Sequence, residues 1–157
     1  KSFCCHLLYR DPFIIAVAKG DPISSFATPG AAGRLPVLDP RHLKDRAFSC
    51  VAVGQRIRKV TDQVFQQAGI SPEIMFTSTS FETARRVACA GQGAAMLPSR
   101  YAALFATREE ADYYAVPDEY HAVLFAAAVR SRESYLPTAA ARFLELLEGY
   151  AQRPEEI

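Results

Sequence analysis

Little in this chain invites a catalytic or metal-binding reading. Its four cysteines stand at 4, 5, 50 and 89, with no C-x-x-C pair and no Cys/His set at metal-ligand spacing. His6, His42 and His121 are far apart. There is no P-loop and no G-x-S-x-G nucleophile turn. Adjacent Cys4 and Cys5 rarely bond each other, and Cys50 and Cys89 sit in apolar surroundings, where cysteine acts as a small hydrophobe. That usage favours a reduced, cytoplasmic protein over a redox-sensing pair. With 18 Lys and Arg against 17 Asp and Glu, the net charge is +1. Such a balance lacks the basic footprint of a nucleic-acid or anionic-membrane surface. The apolar run at 13–18 is far too short to span a bilayer. The opening Lys1-Ser2-Phe3-Cys4-Cys5-His6 has neither a secretory core nor a cleavage site.

What remains is an ordinary globular composition, 50% apolar over 157 residues, enough for one domain or two small lobes. Residues 13–18 read as a buried strand, continuous and rich in β-branched side chains. Residues 20–40 follow as a long loop, punctuated by Asp21-Pro22, Pro29-Gly30, Gly33, Pro36 and Asp39-Pro40. A stretch that long fits a connection between lobes better than a loop within one.

From residue 47 the pattern is regular. A strand at 47–53 leads to a helix at 55–68, with Ile57, Val60, Val64, Phe65 and Ala68 on one face and Gly69 as its stop. A strand at 74–77 precedes a helix at 81–90 that Ser80 can cap and whose buried face is Phe81, Ala84, Val87 and Ala88. A strand at 93–97, a short helix at 99–105 and a strand at 113–116 complete the run. This alternation predicts a parallel sheet with right-handed crossovers. Residues 123–129 form another strand buried on both faces. A last helix begins near Pro137, with Leu136, Ala140, Phe143, Leu147 and Tyr150 on one stripe.

Several motifs carry a resemblance. Val87-Ala88-Cys89-Ala90-Gly91-Gln92-Gly93-Ala94-Ala95-Met96-Leu97-Pro98 is a helix closed by glycine and followed by a short buried strand. With Thr79-Ser80-Phe81-Glu82-Thr83 before it, the stretch closely resembles the second lobe of LysR-type transcriptional regulators. Leu7-Leu8-Tyr9-Arg10-Asp11-Pro12, the Gly20-Asp21-Pro22-Ile23 turn and the Leu43-Lys44-Asp45-Arg46-Ala47-Phe48 segment match in order. So do Arg58, Asp62, Phe65, Gly69 and Pro72, and the Phe143-Leu144 end. Residues 24–35 depart from the family in being longer and richer in proline and glycine.

The resemblance implies an α/β fold of two-lobed, periplasmic-binding-protein-like (type 2) wound sheets, with the second lobe complete and the first partial. On that reading residues 1–22 are a strand of the partial first lobe, and 23–46 are a crossing and a short leading helix. Residues 47–117 form the second lobe, 118–122 cross back, and 123–157 return to the first lobe. The chain would then be a fragment, lacking the beginning of its domain. In the family, DNA is met only through a winged helix-turn-helix N-terminal to this domain.

In wound sheets, ligands meet strand carboxyl ends and the amino ends of the helices that follow. Two such corners stand out. In the first, Gly54 allows close backbone approach, Gln55 can donate or accept, and Arg56 could grip a carboxylate or equally stand as a solvated surface charge. The second offers Ser78, Thr79 and Ser80 beside Thr77, with Ser80 weighed chiefly as a helix cap. By resemblance both line the effector cleft. Gly91-Gln92-Gly93 is no dinucleotide motif, because it precedes a strand and has Met96 in place of the third glycine. His121, beside Asp118 and Glu119, reads by default as a solvated loop histidine and is the one placed for a hinge role. Glu109, Glu110 and Asp112 read as the exposed end of a helix and its turn. Phe105, Tyr113, Tyr114 and Tyr120 read as core or hinge packing.

The expected function is therefore sensing of a small, anionic effector and homo-oligomerisation as a dimer or tetramer. No cofactor, metal, catalytic residue or membrane contact is expected. The apolar face of the 55–68 helix and uncovered sheet edges are the expected association surfaces. A solute-binding protein of a transport system is the alternative on the same fold. An enzyme on that fold would need an acid, base or nucleophile with an orienting partner in the cleft, and none is evident.

Overall fold

One strand organises the molecule in the computed structural model, which describes residues 2–101 and 111–151. β1 (Phe3–Ala18) runs for 16 residues, roughly 50 Å at the usual rise of an extended chain. Its second half is interior to a mixed sheet of order β3-β2-β4-β1-β5. The other members are β2 (Phe48–Val51), β3 (Ile74–Ser78), β4 (Ala94–Pro98) and β5 (Ala111–Ala115). β2 is parallel to β3 and β4, whereas β1 is antiparallel to both β4 and β5. The first half of β1 leaves this sheet and pairs antiparallel with β6 (Val123–Ser131), with a bulge between Leu7 and Tyr9.

Side chains of 13–17 alternate between two cores, as the period of a strand requires. Phe13, Ile15 and Val17 face the larger core with Phe48, Val64, Phe65 and Met96. Ile14 and Ala16 face the smaller one with Ala88, Ala95, Leu97 and Tyr113. Covering on both faces explains the unbroken apolar run. Helix α1 (Arg56–Ala68) covers the first face and α2 (Phe81–Cys89) the second. Gly69 closes α1 in the left-handed region. Ser80 caps α2, its hydroxyl accepting the Thr83 amide at 3.3 Å. The backbone is helical again at 99–101; the remainder of the expected 99–105 helix, Phe105 included, lies outside the described residues, as do Glu109 and Glu110.

Several expectations need correction. Residues 13–18 belong to the sheet of the 47–117 lobe, not to a separate first lobe, because β4 and β5 supply their hydrogen bonds. The strands are accordingly not all parallel. A continuous apolar run reports burial on both faces and is silent about direction. Residues 23–46 do not cross between bodies either. Ile23, Leu38 and Leu43 are buried in the larger core, and residues 36–38 bond along the edge of β5 through Leu38 N–H to Ala115 O at 3.0 Å and Ala115 N–H to Pro36 O at 2.8 Å. Burying those three side chains offsets the entropy of ordering a turn-rich segment.

Further corrections concern surfaces. β6 is not buried on both faces, since Phe125 and Val129 are exposed. The apolar face of α1 is spent on the core, with Val64, Phe65 and Ala68 buried, so it is no association surface. Exposed apolar side chains gather instead on the ribbon, at Phe3, Leu7, Phe125 and Val129, and on α3 (Thr138–Ala151), at Phe143, Leu146 and Tyr150. Asp112 lies on β5 and pairs with Lys19 at 2.8 Å, so it is no part of a solvated charge run.

α2 also buries a cation that the apolar pattern conceals. Arg85 is 1% exposed. Its Nε and Nη2 donate to the two Glu82 oxygens at 2.9 and 2.8 Å, and Nη1 donates to the Tyr113 hydroxyl at 3.1 Å. These donors hold the Glu82 carboxyl down to about 2. A depressed carboxylate adds stability above its unfolded value and loses it as pH falls through the folded one. Urea unfolding should therefore show stability dropping between about pH 4.5 and pH 2. E82Q should flatten that drop by roughly 1–2 kcal/mol, allowing for solvent screening.

Gly93 is demanded by space as well as by conformation. Its φ is 109°, and a Cβ there would lie 2.2 Å from the Ala47 carbonyl oxygen. That same carbonyl accepts the Ala94 amide, so backbone would have to move. Gly91, at φ 81°, has open space at its Cβ position. G93A should cost at least about 2 kcal/mol and G91A only about 1 kcal/mol, read as the difference in urea midpoints.

Candidate functional site

Parallel β2, β3 and β4 end on one side of the sheet, where β1 and the chain after β5 pass to the ribbon. The register sets this out: Pro98, the last residue of β4, is level with Phe13, and Ala115 is level with Ile14. The second passage runs through Pro117–His121 and closes when the Phe13 amide donates to Ala122 O at 2.8 Å. His121 sits in it at φ 47°, its amide bonded to Asp118 O at 3.0 Å. Tyr120 is buried and its hydroxyl donates to Asp39 at 2.8 Å. Tyr113 and Tyr114 are buried too.

The two corners expected from the sequence come together at this end. Val51 is in register with Ser78, and the Ala52 amide donates to Ser78 O at 2.8 Å. The Gln55 side-chain amide spans the gap to Thr79 O at 3.4 Å. Gln55 is the residue before α1 and gives it no side-chain cap, so the first helical amides are left for solvent or a ligand. Gly54 turns the chain there at φ 97° with open space beside it. Arg56 is exposed, and no ion pair is recorded for it among the described residues. Ser78 Oγ accepts the Ser80 amide at 3.1 Å. With Ser80 Oγ on Thr83, both serines retain a hydroxyl proton to donate, and Thr79 is exposed.

A third corner was not legible as such in the sequence. Asp11, 7% exposed, accepts from Ser99 Oγ and from the Arg100 amide, both at 3.0 Å. It thereby caps the helical turn after β4 from the strand that passes between the bodies. Arg100 lies 4.0 Å over the Tyr9 ring and donates to Ala151 O at 2.8 Å, tying the end of β4 to the ribbon and α3. The only signal was Asp11-Pro12 at the end of an apolar-polar strand, with Ser99-Arg100 after Pro98. A hollow of about 410 Å³ beside Lys19, Arg34 and Tyr113 lies at the opposite end of the sheet, away from these corners.

A family model described as the LysR substrate binding domain matches residues 1–152. The chain belongs to that family. No curated protein sequence matches the chain. Among solved structures, the CcmR regulatory domain of Synechocystis PCC6803, in complex with 2-PG, has a TM-score of 0.76 at 14% identity, over 96% of this chain and 68% of that one. The effector-binding domain of QuiR, in complex with shikimate, has a TM-score of 0.71 at 14% identity, over 96% and 66%. HinK, a LysR family regulator of Pseudomonas aeruginosa, has a TM-score of 0.68 at 18% identity, over 95% and 48%. The chain thus spans about two thirds or less of their lengths. At these identities the likeness shows the fold, the periplasmic-binding-protein-like type 2 fold of LysR substrate-binding domains. As a LysR substrate-binding domain the chain is of a regulatory kind, and none of its described helices is long and apolar enough to cross a membrane.

Asp11 is the bond most directly testable in this family member. D11A strands the Ser99 hydroxyl and the Arg100 amide. It should lower stability by about 1–3 kcal/mol in urea, with faster hydrogen exchange at Arg100 than at core amides of β4.

Proposed function

We propose that the chain senses a small anionic effector at the strand ends where Gly54, Gln55, Arg56, Ser78, Thr79 and Ser80 converge. The observation that carries this reading is the joining of two loops, across the Gln55–Thr79 contact, beside an uncapped helix start and an exposed arginine. Backbone amides at a helix start favour negative charge. Arg56 adds a formal cation able to take a carboxylate in bidentate fashion, and the serine hydroxyls add neutral donors. Val53, 80% exposed at the same lip, gives an apolar part of the effector something to touch. The 2-PG and shikimate complexes of the two neighbours support a small polar ligand for this fold.

Effector binding would act on the placement of the sheet relative to the ribbon and α3, which Asp11 and Arg100 connect. A ligand shifts such an equilibrium only by its differential affinity for the two placements. The exposed apolar side chains of the ribbon and α3 support association into dimers or higher forms. In a parent regulator that association would position DNA-binding modules, and the protein would work in the cytoplasm without turnover of its effector.

Isothermal titration calorimetry of the protein tests this reading, with 2-PG and shikimate heading a panel of small carboxylates and phosphates. At least one should bind, and R56A should weaken it about tenfold, the worth of one charge-assisted hydrogen bond. Indifference to the whole panel, or unchanged affinity in R56A, would count against the assignment.

A further inference from the structure

Away from the strand ends, the face of the ribbon covered by α3 brings a thiol, an imidazole and a carboxylate into line. Cys4 and His6 are two apart on β1 and so share a face. Cys4 Sγ lies 3.5 Å from His6 Nε2. On its other side, His6 Nδ1 lies 3.2 Å from Glu148 Oε1 of α3. A carboxylate at Nδ1 holds the proton there and leaves Nε2 as the acceptor. The thiol therefore has a base within reach, and the base has an orienting partner. That is the arrangement by which proteins activate a nucleophile. Directly across the strand pair from Cys4, and so on the same face, is Arg130.

Beside this line of residues runs an apolar trough of about 160 Å³ between the ribbon and α3. His6 and Arg130 stand at one side of it, and Ala128, Leu136, Phe143 and Leu147 provide its apolar lining. Cys5 and Cys50 have no such setting. Cys5 points to the opposite, exposed face of the strand. Burial pushes the Cys50 thiol up to about 11 and leaves it inert.

We propose that Cys4 is a covalent modification site for α,β-unsaturated carbonyl compounds with an apolar tail. His6 Nε2 takes the thiol proton. Sulfur then bonds to the β-carbon of the electrophile, and the π pair moves to the α-carbon as an enolate. The proton held by the imidazolium returns to that carbon, so the adduct contains all atoms of both reactants and no bond of the tail is broken. The tail lies along the trough. The site is distinct from the effector corners and operates whether or not they are occupied.

Cys5 is a control built into the same strand. Exposure alone would make Cys5 the faster thiol, since Cys4 is half-buried. Brief labelling of the native protein with N-ethylmaleimide, followed by peptide mass spectrometry, should instead show Cys4 reacting at least about tenfold faster, a modest share of what general-base assistance provides. trans-2-Nonenal should raise that preference further, because its chain fills the trough. H6N should abolish the preference while Cys5 keeps its rate, and E148Q should reduce it. Mere loosening of α3 would move Cys4 the other way, towards faster labelling. Cys5 reacting as fast as Cys4 in the native protein, or a Cys4 preference unchanged in folded H6N, overturns the proposal. No added preference with trans-2-nonenal overturns the assignment of the tail. Should H6N fail to fold, E148Q decides by the same ratio.

Discussion

A strand that serves two bodies at once is the constraint on which the rest of this structure depends. β1 cannot slide or twist to suit the ribbon without disturbing the sheet, because Phe13, Ile15 and Val17 are locked in one core and Ile14 and Ala16 in another. A register shift of one residue would exchange those faces. The sheet end of β1 is therefore rigid, and any relative motion must occur where its neighbours stop, at Asp11 and Pro12 and in the passage from Pro117 to His121. The two passages lie side by side, joined by the Phe13–Ala122 hydrogen bond. They are the natural place for a change of posture.

That arrangement also explains where recognition can occur. Parallel β2, β3 and β4 deliver their carboxyl ends to the same side as the passages, so the loops proposed to meet an effector are next to that joint. The hydrogen-bond economy is consistent with this. Asp11 and Arg100 spend their polar groups on connecting the bodies, whereas Arg56 and Thr79 stay exposed. Residues that connect the bodies and residues proposed to sense are thus neighbours at one end of a sheet. The far end carries the Lys19–Asp112 pair and the start of the turn-rich 23–46 segment.

Much of the second lobe was legible because its signals are local. Helix α1 with its glycine stop, the Ser80 cap, and the helix-glycine-strand step at 87–98 all follow from residues a few positions apart. Ile23, Leu38 and Leu43 were not legible as core, since the proline and glycine between them say only that the chain turns. Arg85 escaped notice for a related reason. A charged residue on a helix reads as solvent-facing until Glu82 and Tyr113 are seen around it. Of the corners at the strand ends, the two with glycine, arginine and hydroxyl runs could be named in advance as candidates. The one built on Asp11 and Ser99 could not, as its partners are 88 positions apart.

The sequence alone determined which segments are extended or helical, where helices stop and that the chain shares the LysR substrate-binding pattern, because these depend on near neighbours and on the period of apolar side chains. Only the tertiary structure decided the direction of β1 within the sheet and the division of that strand between two bodies. It also decided the meeting of Cys4 and His6 with Glu148. The reason is common to all three: strand pairing joins residues without regard to their separation along the chain, and an apolar run looks the same whichever neighbour it finds.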